Sequence, residues 1–217
     1  VLILEQVLKG EDLDRVRAAL DRTSFADGKA SASGSAREVK RNGEARDDAA
    51  TDELRRLVKR TLGANSKLDS YSRPVRWSQI IFSRYGANDA YGEHVDAPFM
   101  RADDGGEMRA DLSFTLFLDE PGAYEGGELV LDTQRRPQPA QLSAGSVIVY
   151  PTSVLHAVAS VRSGVRRAAV GWIESRYRDA EQRLLLHDFE QGVAALPHDA
   201  SRRRLTLVFA NLMKMWS

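Results

Sequence analysis

The sequence predicts a mainly β fold with flanking helices, built on a double-stranded β-helix core of the jelly-roll type. Residues 111 to 119 alternate strictly, with Leu and Phe on one face and mostly small polar residues on the other, which is typical of a half-buried strand. Pro-Gly at 121–122 and Gly-Gly at 126–127 mark the turns that follow. Several short strands separated by turn signals favour two packed sheets, the architecture that cupins use.

The composition limits the classes of protein that fit. The chain has 217 residues, enough for one large domain with a substantial core. Basic and acidic residues number 31 each, so no net charge attracts nucleic acid or an anionic membrane. The absence of cysteine excludes disulfides and thiolate metal sites. No apolar run approaches membrane-spanning length and no signal-like N-terminus is seen, so we expect a cytoplasmic protein.

Two helices joined by a polar connection are predicted before the strands. Apolar residues recur with a helical period over residues 12 to 20 and again over residues 51 to 62. Residues 23 to 50 are small, polar and charged, which predicts a mobile connection. Beside an active site, such a segment would be either a substrate lid or an ordinary solvated loop.

Strands are predicted for most of the chain that follows. Residues 76 to 85 are expected to form one long strand. The stretches 154–161 and 165–172 are rich in β-branched residues, and they predict two strands joined as a hairpin around Arg162-Ser163-Gly164.

The last forty residues change character and predict two more helices. We therefore divide the chain into a jelly-roll domain with N-terminal helices, residues 1–177, and a C-terminal helical extension, residues 178–217. The last helix carries an apolar stripe that either packs on the parent domain or forms a homodimer contact. His187 and His198 have no carboxylate at ligand spacing, and we expect neither to bind a metal.

The segment Tyr91-Gly-Glu-His94-Val-Asp96 is the first candidate for a metal site. Residues two apart point to the same side of a strand, so His94 and Asp96 can reach one metal ion. A second histidine must come from another strand brought alongside, and His156 lies in a suitable β-branched run. Two imidazoles and a carboxylate are the set that holds Fe(II) on one face. Taken alone, each of these three residues fits an ordinary core or surface position as well as it fits a metal ligand. The prediction therefore depends on the three occurring together.

An arginine after the second histidine would identify a cosubstrate. With Ser160 opposite Arg166 in the predicted hairpin, Arg166 faces the same side as His156. A shift of one residue would turn Arg167 inward instead. A guanidinium is permanently charged and binds carboxylates through paired hydrogen bonds, which suits the distal carboxylate of 2-oxoglutarate. Either arginine could instead be a solvated charge at a strand end.

These residues and their neighbours resemble those of the Fe(II)/2-oxoglutarate-dependent oxygenases, and most closely the PKHD-type hydroxylases, which are related to prolyl and lysyl hydroxylases. The resemblance is most specific over residues 75 to 180, and residues 39 to 44 also fit it. Asn88 departs from it, because related hydroxylases usually carry glycine there; asparagine tolerates a left-handed backbone, so we expect the turn to be kept. The matching segments are Phe82–Tyr85, Tyr91–Asp96, Arg109–Leu118, Glu125–Leu129, Ala144–Pro151, Leu155–His156 and Gly164–Ser175.

The resemblance implies roles for individual residues. His94, Asp96 and His156 would bind Fe(II) and form the catalytic centre. Arg166 would bind the C5 carboxylate of the cosubstrate 2-oxoglutarate. Tyr85 either donates a hydrogen bond to that carboxylate or is a core aromatic residue whose hydroxyl is satisfied elsewhere. The family relationship also suggests ascorbate, vitamin C, as a further bound cofactor.

The implied reaction is a hydroxylation that consumes 2-oxoglutarate and dioxygen and releases succinate and CO2. The substrate would be a peptidyl prolyl or lysyl side chain, or a small metabolite such as a siderophore; no nucleic-acid or membrane partner is expected. Two other interpretations stay open at this point. One is a non-catalytic jelly roll that binds iron or 2-oxoglutarate as a sensor or partner module. The other is a cupin-like iron dioxygenase that uses no oxoacid and would need no arginine.

Overall fold

The computed structural model describes residues 1–133 and 136–217. The α-helices are α1 Glu11–Leu20, α2 Gly34–Glu38, α3 Ala49–Gly63, α4 Ser66–Ser72, α5 Ala180–Ala194 and α6 Ala200–Trp216, and a 3₁₀ helix covers Gly28–Ser31. The strands are β1 Leu2–Leu4, β2 Phe25–Asp27, β3 Lys40–Arg41, β4 Gly43–Ala45, β5 Pro74–Trp77, β6 Ile81–Tyr85, β7 Ala90–His94, β8 Phe99–Arg101, β9 Glu107–Arg109, β10 Leu112–Phe117, β11 Tyr124–Gly126, β12 Leu129–Thr133, β13 Arg136–Ala140, β14 Val147–Pro151, β15 His156–Val158, β16 Val161–Gly164 and β17 Arg166–Ser175.

Two antiparallel sheets form the core. The larger has the strand order β1-β14-β10-β17-β6-β4-β2, with β5 also paired to β17, and the smaller has the order β13-β12-β15-β7-β3. Apolar side chains of both sheets meet in one buried cluster that includes Phe117, Ile148 and Leu131. The fold is therefore mainly β with flanking helices around a double-stranded β-helix core, which confirms the predicted class.

Strand β10 shows how the alternating pattern is used. All six of its residues are buried, but they face different partners. Its Leu and Phe residues from Leu112 to Leu116 pack with α1, α3 and α4 in the cluster that also contains Val16 and Leu57. Ser113 and Thr115 instead line a cavity between the sheets. The predicted alternation is confirmed, and it puts two hydroxyls inside the barrel.

The predicted helices are present, with small shifts at their ends. Helix α3 begins at Ala49, because Asp48 accepts a hydrogen bond from the Thr51 backbone and the Thr51 hydroxyl accepts one from the Asp48 backbone. This capping box satisfies two N–H groups that the first turn leaves free. Within the described ranges, no helix combines the length and apolarity needed to cross a bilayer.

The C-terminal helices pack on each other and on the end of the barrel domain. Helix α5 contacts both α4 and α6, around a small core of Tyr177, Leu186 and Phe209. Part of the α6 stripe is buried here, while Leu207 and Met215 remain exposed. The predicted domain boundary after residue 177 and the predicted homodimer contact stay predictions.

The hairpin predicted for residues 154–172 is wrong. Strand β15 lies in the smaller sheet, β16 pairs with β11, and β17 lies in the larger sheet. Gly164 has φ +78° and a Cβ there would lie 2.3 Å from the Ala123 carbonyl oxygen, so the chain turns tightly under β11 as it changes sheets. Arg166 consequently lies opposite Tyr85, not Ser160.

Two other segments differ from expectation. The long strand predicted for residues 76 to 85 is split into β5 and β6, because residues 79 and 80 lie outside both segments that pair with β17. Residues 23 to 50, predicted as a mobile connection, contribute β2 and β4 to one sheet and β3 to the other. Short polar strands at sheet edges give little periodic signal, which explains why the composition suggested a loop.

Asp119 links β17 to the neighbouring elements through hydrogen bonds on the outer side of the sheet. It is 3% exposed and accepts hydrogen bonds from the Arg167 backbone at 2.8 Å and from the Arg167 Nη2 at 2.6 Å. Replacing Asp119 with alanine would leave a half-buried guanidinium with one partner fewer, so we expect the free energy of unfolding to fall by about 3 kcal/mol in urea titrations. Asp119→Asn keeps the hydrogen-bond acceptor and should lose clearly less. Equal losses for both variants would show that charge is unimportant here.

Candidate metal centre and cosubstrate pocket

Strands β7 and β15 bring the three predicted metal ligands together. His94 ends β7 and lies directly opposite His156, the first residue of β15. Asp96 follows just beyond the end of β7. Its Oδ1 is 3.9 Å from the His94 Nε2, and its Oδ2 is 3.8 Å from the His156 Nε2. The candidate ligand atoms all lie within 4.8 Å of one another, as one shared ion requires.

Backbone carbonyls orient both imidazole rings. The Nδ1 of His94 lies 2.8 Å from the Gly92 oxygen, and the Nδ1 of His156 lies 2.9 Å from the Val154 oxygen. A carbonyl can only accept, so each Nδ1 carries the proton and donates it. In the neutral ring, Nε2 then has a free lone pair directed to the shared centre, which is the tautomer that a metal needs.

Burial keeps the His94 ring neutral. His94 is 7% exposed and His156 is 6% exposed, so neither ring is well solvated. Burial first, and then the nearby His156 ring, lowers the pKa of His94 to about 4. At neutral pH the ring therefore does not carry the proton that would block a metal at Nε2.

Neighbouring side chains hold the three groups in place. The Tyr91 ring stacks on His94 with ring centres 3.6 Å apart, and Tyr150 meets the edge of His156 at 5.1 Å. The Ser113 hydroxyl donates a hydrogen bond of 2.5 Å to the Asp96 Oδ2. The donor set is thus restrained before any ion binds, which is the usual support for a metal centre.

The sequence left Arg166 and Arg167 as alternatives for the inward-facing arginine, and in the structure the buried one is Arg166. It is 1% exposed, and its Nε and Nη2 atoms have no hydrogen-bond partner among the described residues. Its guanidinium lies 5.2 Å from the Tyr85 ring centre and 5.4 Å from the Phe117 ring centre. Arg167 instead points outward to Asp119. A permanently charged, buried and unpaired group fits a carboxylate ligand, because it would otherwise be costly.

Tyr85 lies beside Arg166 and is available as a hydrogen-bond donor. The two residues face each other across β6 and β17, and both line the same cavity. Burial raises the pKa of Tyr85 to about 12, although the Arg166 charge acts in the other direction. The phenol therefore stays protonated at neutral pH and can donate to an anion held by Arg166.

One cavity contains both groups of residues. Its volume is about 720 Å³, and His94, Asp96, His156 and Arg166 all line it. Cavities that enclose small ligands range from about 300 to 1,000 Å³, so this one has room for a five-carbon diacid and part of a substrate. Ser113 and Thr115, which belong to the polar face of β10, lie on its wall.

The other two histidines and Asn88 lie outside the candidate metal set. The His187 Nδ1 pairs with the Ser70 hydroxyl at 2.8 Å, and the His198 Nε2 lies 3.0 Å from the Arg202 Nη1; that neither binds a metal stays a prediction. Asn88 has φ 70° in the turn before β7, the left-handed conformation that was expected to survive the replacement of glycine.

Sequence reasoning missed some residues of the cavity. Lys40 and Glu44 lie on its wall and form an ion pair. They belong to the stretch 39–44, which was noted only because it fits the family. A lysine and a glutamate four apart are too common to be singled out without the fold.

Comparison with known proteins agrees with this site. The family described as the 2OG-Fe(II) oxygenase superfamily matches residues 80–174. A PKHD-type hydroxylase of Maricaulis maris is 41% identical, over 99% of this chain and 97% of its own length. A PKHD-type hydroxylase of Pseudoalteromonas atlantica is 40% identical, over 99% and 98% of the two chains.

Solved structures support the fold. A prolyl-4-hydroxylase of Pseudomonas putida superposes with a TM-score of 0.55 at 18% identity, covering 81% of this chain and 92% of its own. HygX of Streptomyces hygroscopicus, crystallised with nickel, 2-oxoglutarate and hygromycin B, gives a TM-score of 0.58 at 12% identity, covering 81% and 83%. At such identities the likeness concerns the fold alone.

Full-length identity near 40%, a superfamily match across the barrel strands and a His-Asp-His set in one cavity lead to the same assignment. This chain belongs to the PKHD-type hydroxylases of the 2OG-Fe(II) oxygenase superfamily, and it is a hydroxylase that depends on iron and 2-oxoglutarate.

Proposed function

We propose that His94, Asp96 and His156 hold Fe(II), and that Arg166 with Tyr85 binds the C5 carboxylate of 2-oxoglutarate. The enzyme hydroxylates a substrate while 2-oxoglutarate is converted to succinate and CO2. One oxygen atom of dioxygen enters succinate and the other enters the substrate. The substrate is a peptidyl prolyl or lysyl side chain or a small metabolite such as a siderophore.

The proposal depends on the buried guanidinium of Arg166, whose Nε and Nη2 have no hydrogen-bond partner in the part of the chain that the structure describes. A cupin-like dioxygenase without an oxoacid would have no use for a permanent charge in that position, so the residue favours an oxoacid cosubstrate. The charges also balance. Fe(II) and Asp96 together contribute +1, Arg166 contributes +1 and the diacid contributes −2, so the loaded cavity carries no excess charge from these groups.

The residues of the chain position the iron and the cosubstrate and limit the access of water. Nδ1 of each histidine donates to a carbonyl and keeps Nε2 free for the metal, Ser113 holds the Asp96 carboxylate, and Tyr85 donates toward the anion beside Arg166. Iron with 2-oxoglutarate supplies the oxidising chemistry when bound, while the protein fixes its orientation and limits access of water. Ascorbate binding stays a prediction.

Two measurements test the proposal. Anaerobic addition of Fe(II) and then 2-oxoglutarate should produce a weak visible charge-transfer band, and admission of oxygen should then produce succinate. A missing band would favour an oxygenase that uses no oxoacid. A band without succinate in the presence of peptide and metabolite extracts would favour a binding module. Mass spectrometry of the same extracts should reveal a product heavier by one oxygen atom.

Ser113 offers a smaller and separate test of the metal assignment. Removing its hydroxyl with Ser113→Ala frees the Asp96 carboxylate to rotate, so Fe(II) affinity is expected to fall about tenfold, the lower end for such supporting residues. Ser113→Thr retains a hydroxyl and should bind Fe(II) like the unmodified protein. Anaerobic metal titration measures both. Equal affinities for the alanine and threonine variants would contradict a supporting role.

A further inference from the structure

A buried ion pair lines the cavity without belonging to the metal set or to the Arg166 pocket. The Lys40 ammonium lies 2.5 Å from the Glu44 Oε1. The Ser31 hydroxyl completes a triangle, since it accepts from Lys40 at 2.7 Å and donates to Glu44 at 2.8 Å. Lys40 is only 6% exposed, and all three residues are on the cavity wall. We call these three residues the polar triangle.

The polar triangle lies close to the metal set. Lys40 pairs with Tyr91 between β3 and β7, and its ammonium lies 5.1 Å from the centre of the Tyr91 ring. The same ring stacks on His94. Glu44 comes from the other sheet, where it pairs with Ser83. A ligand group at the triangle would therefore be about one aromatic ring away from the candidate iron ligands.

The polar triangle retains hydrogen-bonding capacity of both kinds. An ammonium has three N–H donors, and Lys40 uses two of them within the described residues. The Glu44 Oε2 accepts no hydrogen bond from these residues. A neutral amide matches this pair, because its carbonyl accepts from Lys40 and its N–H donates to Glu44. A charged group does not, since it would compete with one partner and leave the other buried and unpaired.

Other charges on the cavity wall are also balanced. Arg101 and Glu107 face each other across the β8–β9 pair, and Asp96 and Arg166 serve the metal and the cosubstrate. Among the described residues of the wall, three basic side chains (Lys40, Arg101 and Arg166) and three acidic ones (Glu44, Asp96 and Glu107) are present, so the wall carries no net charge to neutralise an ionised substrate. The cavity therefore discriminates against both lysyl side chains and anionic metabolites.

We propose that the polar triangle of Ser31, Lys40 and Glu44 is the substrate-recognition subsite, and that it selects an uncharged, amide-bearing group such as a peptide segment. The inference rests on the proposed function, because it assumes that the substrate shares the cavity with iron and 2-oxoglutarate. It narrows the substrate class to neutral, amide-bearing molecules and disfavours ionised side chains at the polar triangle.

The test uses three matched peptides of the form acetyl-Gly-Xaa-Gly-amide, with Xaa as Gln, Glu or Lys. Each is titrated anaerobically into the enzyme loaded with Fe(II) and 2-oxoglutarate, and the shift of the visible band gives its dissociation constant. The Gln peptide is expected to bind about tenfold more tightly than either charged peptide. The reason is that a charged peptide leaves one buried group of the polar triangle without a hydrogen-bond partner.

Two variants should change this ranking in opposite directions. Glu44→Gln leaves the Lys40 charge without its partner, so the Glu peptide should gain affinity and overtake the Lys peptide. Lys40→Met leaves Glu44 alone, so the Lys peptide should gain instead. Glu53→Gln removes one acidic charge from an exposed pair with Arg15 and serves as the control, for which the ranking should stay unchanged.

Several outcomes would overturn the inference. Tightest binding of a charged peptide by the unmodified enzyme would do so, as would an unchanged ranking in both variants. So would the absence of any peptide-dependent shift of the band. These failures are distinct from failure of the proposed function, which would abolish the band itself before any peptide is added. A purely structural ion pair would change stability without changing the order of the three peptides.

Discussion

Replacing Asp96 with alanine is expected to reduce succinate formation at least about 100-fold. This is more than the loss expected for a residue that only supports a metal ligand through a hydrogen bond. The carboxylate is the only anionic group in the candidate metal set, and without it two neutral imidazoles would have to hold a divalent ion. Fe(II) affinity should fall with activity. Measurement of both succinate and bound iron would separate loss of the metal from loss of turnover.

The same variant should stay folded. The described hydrogen bonds of the Asp96 side chain consist of the one from Ser113, so the free energy of unfolding is expected to change by no more than about 1 kcal/mol. Asp103→Ala removes an exposed carboxylate paired with Lys59 and serves as a control that should retain full activity. Full retained turnover in Asp96→Ala would refute the ligand assignment.

Replacing Arg166 with methionine is expected to weaken 2-oxoglutarate binding by about 100-fold, as is usual when one partner of a buried charge pair is lost. Methionine keeps much of the side-chain length, so packing against Tyr85 and Phe117 should be largely preserved. Arg166→Lys keeps the charge but not the paired hydrogen bonds, and it should lie between the two. Anaerobic titration of the visible band measures the affinity directly.

Stability provides a second and independent signature at Arg166. In the protein without 2-oxoglutarate, two nitrogens of the buried guanidinium have no hydrogen-bond partner among the described residues, so Arg166→Met should unfold at the same or a higher temperature than the unmodified protein. Addition of 2-oxoglutarate should raise the melting temperature of the unmodified protein and much less that of the variant. A variant that is destabilised in both conditions would indicate that Arg166 has only a packing role.

Local patterns were sufficient for much of the site. The His-x-Asp spacing at 94 and 96 needs only the two-residue period of a strand, and the β10 alternation at 112–117 needs only a half-buried sheet. The β10 alternation was confirmed, because strand geometry is fixed by the backbone and does not depend on which strand lies alongside. Asp96 lies just beyond the end of β7, yet its Oδ1 is 3.9 Å from the His94 Nε2, so the two side chains still meet on one side.

The inward orientation of Arg166 could not be obtained in the same way. The predicted hairpin between residues 154 and 172 turned Arg166 inward correctly but gave it the wrong partner. The chain leaves the smaller sheet after β15, pairs with β11 as β16, and enters the larger sheet as β17. Two β-branched stretches around a glycine look identical in a hairpin and in a crossing between sheets. Only the pairing of Arg166 with Tyr85 of β6 shows which face of the sheet the Arg166 side chain occupies.

By itself, the sequence determined the mainly β class, the flanking helices and the placement of the two candidate ligands His94 and Asp96 on one side of the chain, since each follows from a local periodic pattern. Tertiary structure alone decided that His156 lies opposite His94, that Arg166 is buried beside Tyr85, and that Lys40 and Glu44 meet on the cavity wall. These are contacts between segments distant in the chain or across a change of sheet, and strand pairing leaves no periodic trace in either partner.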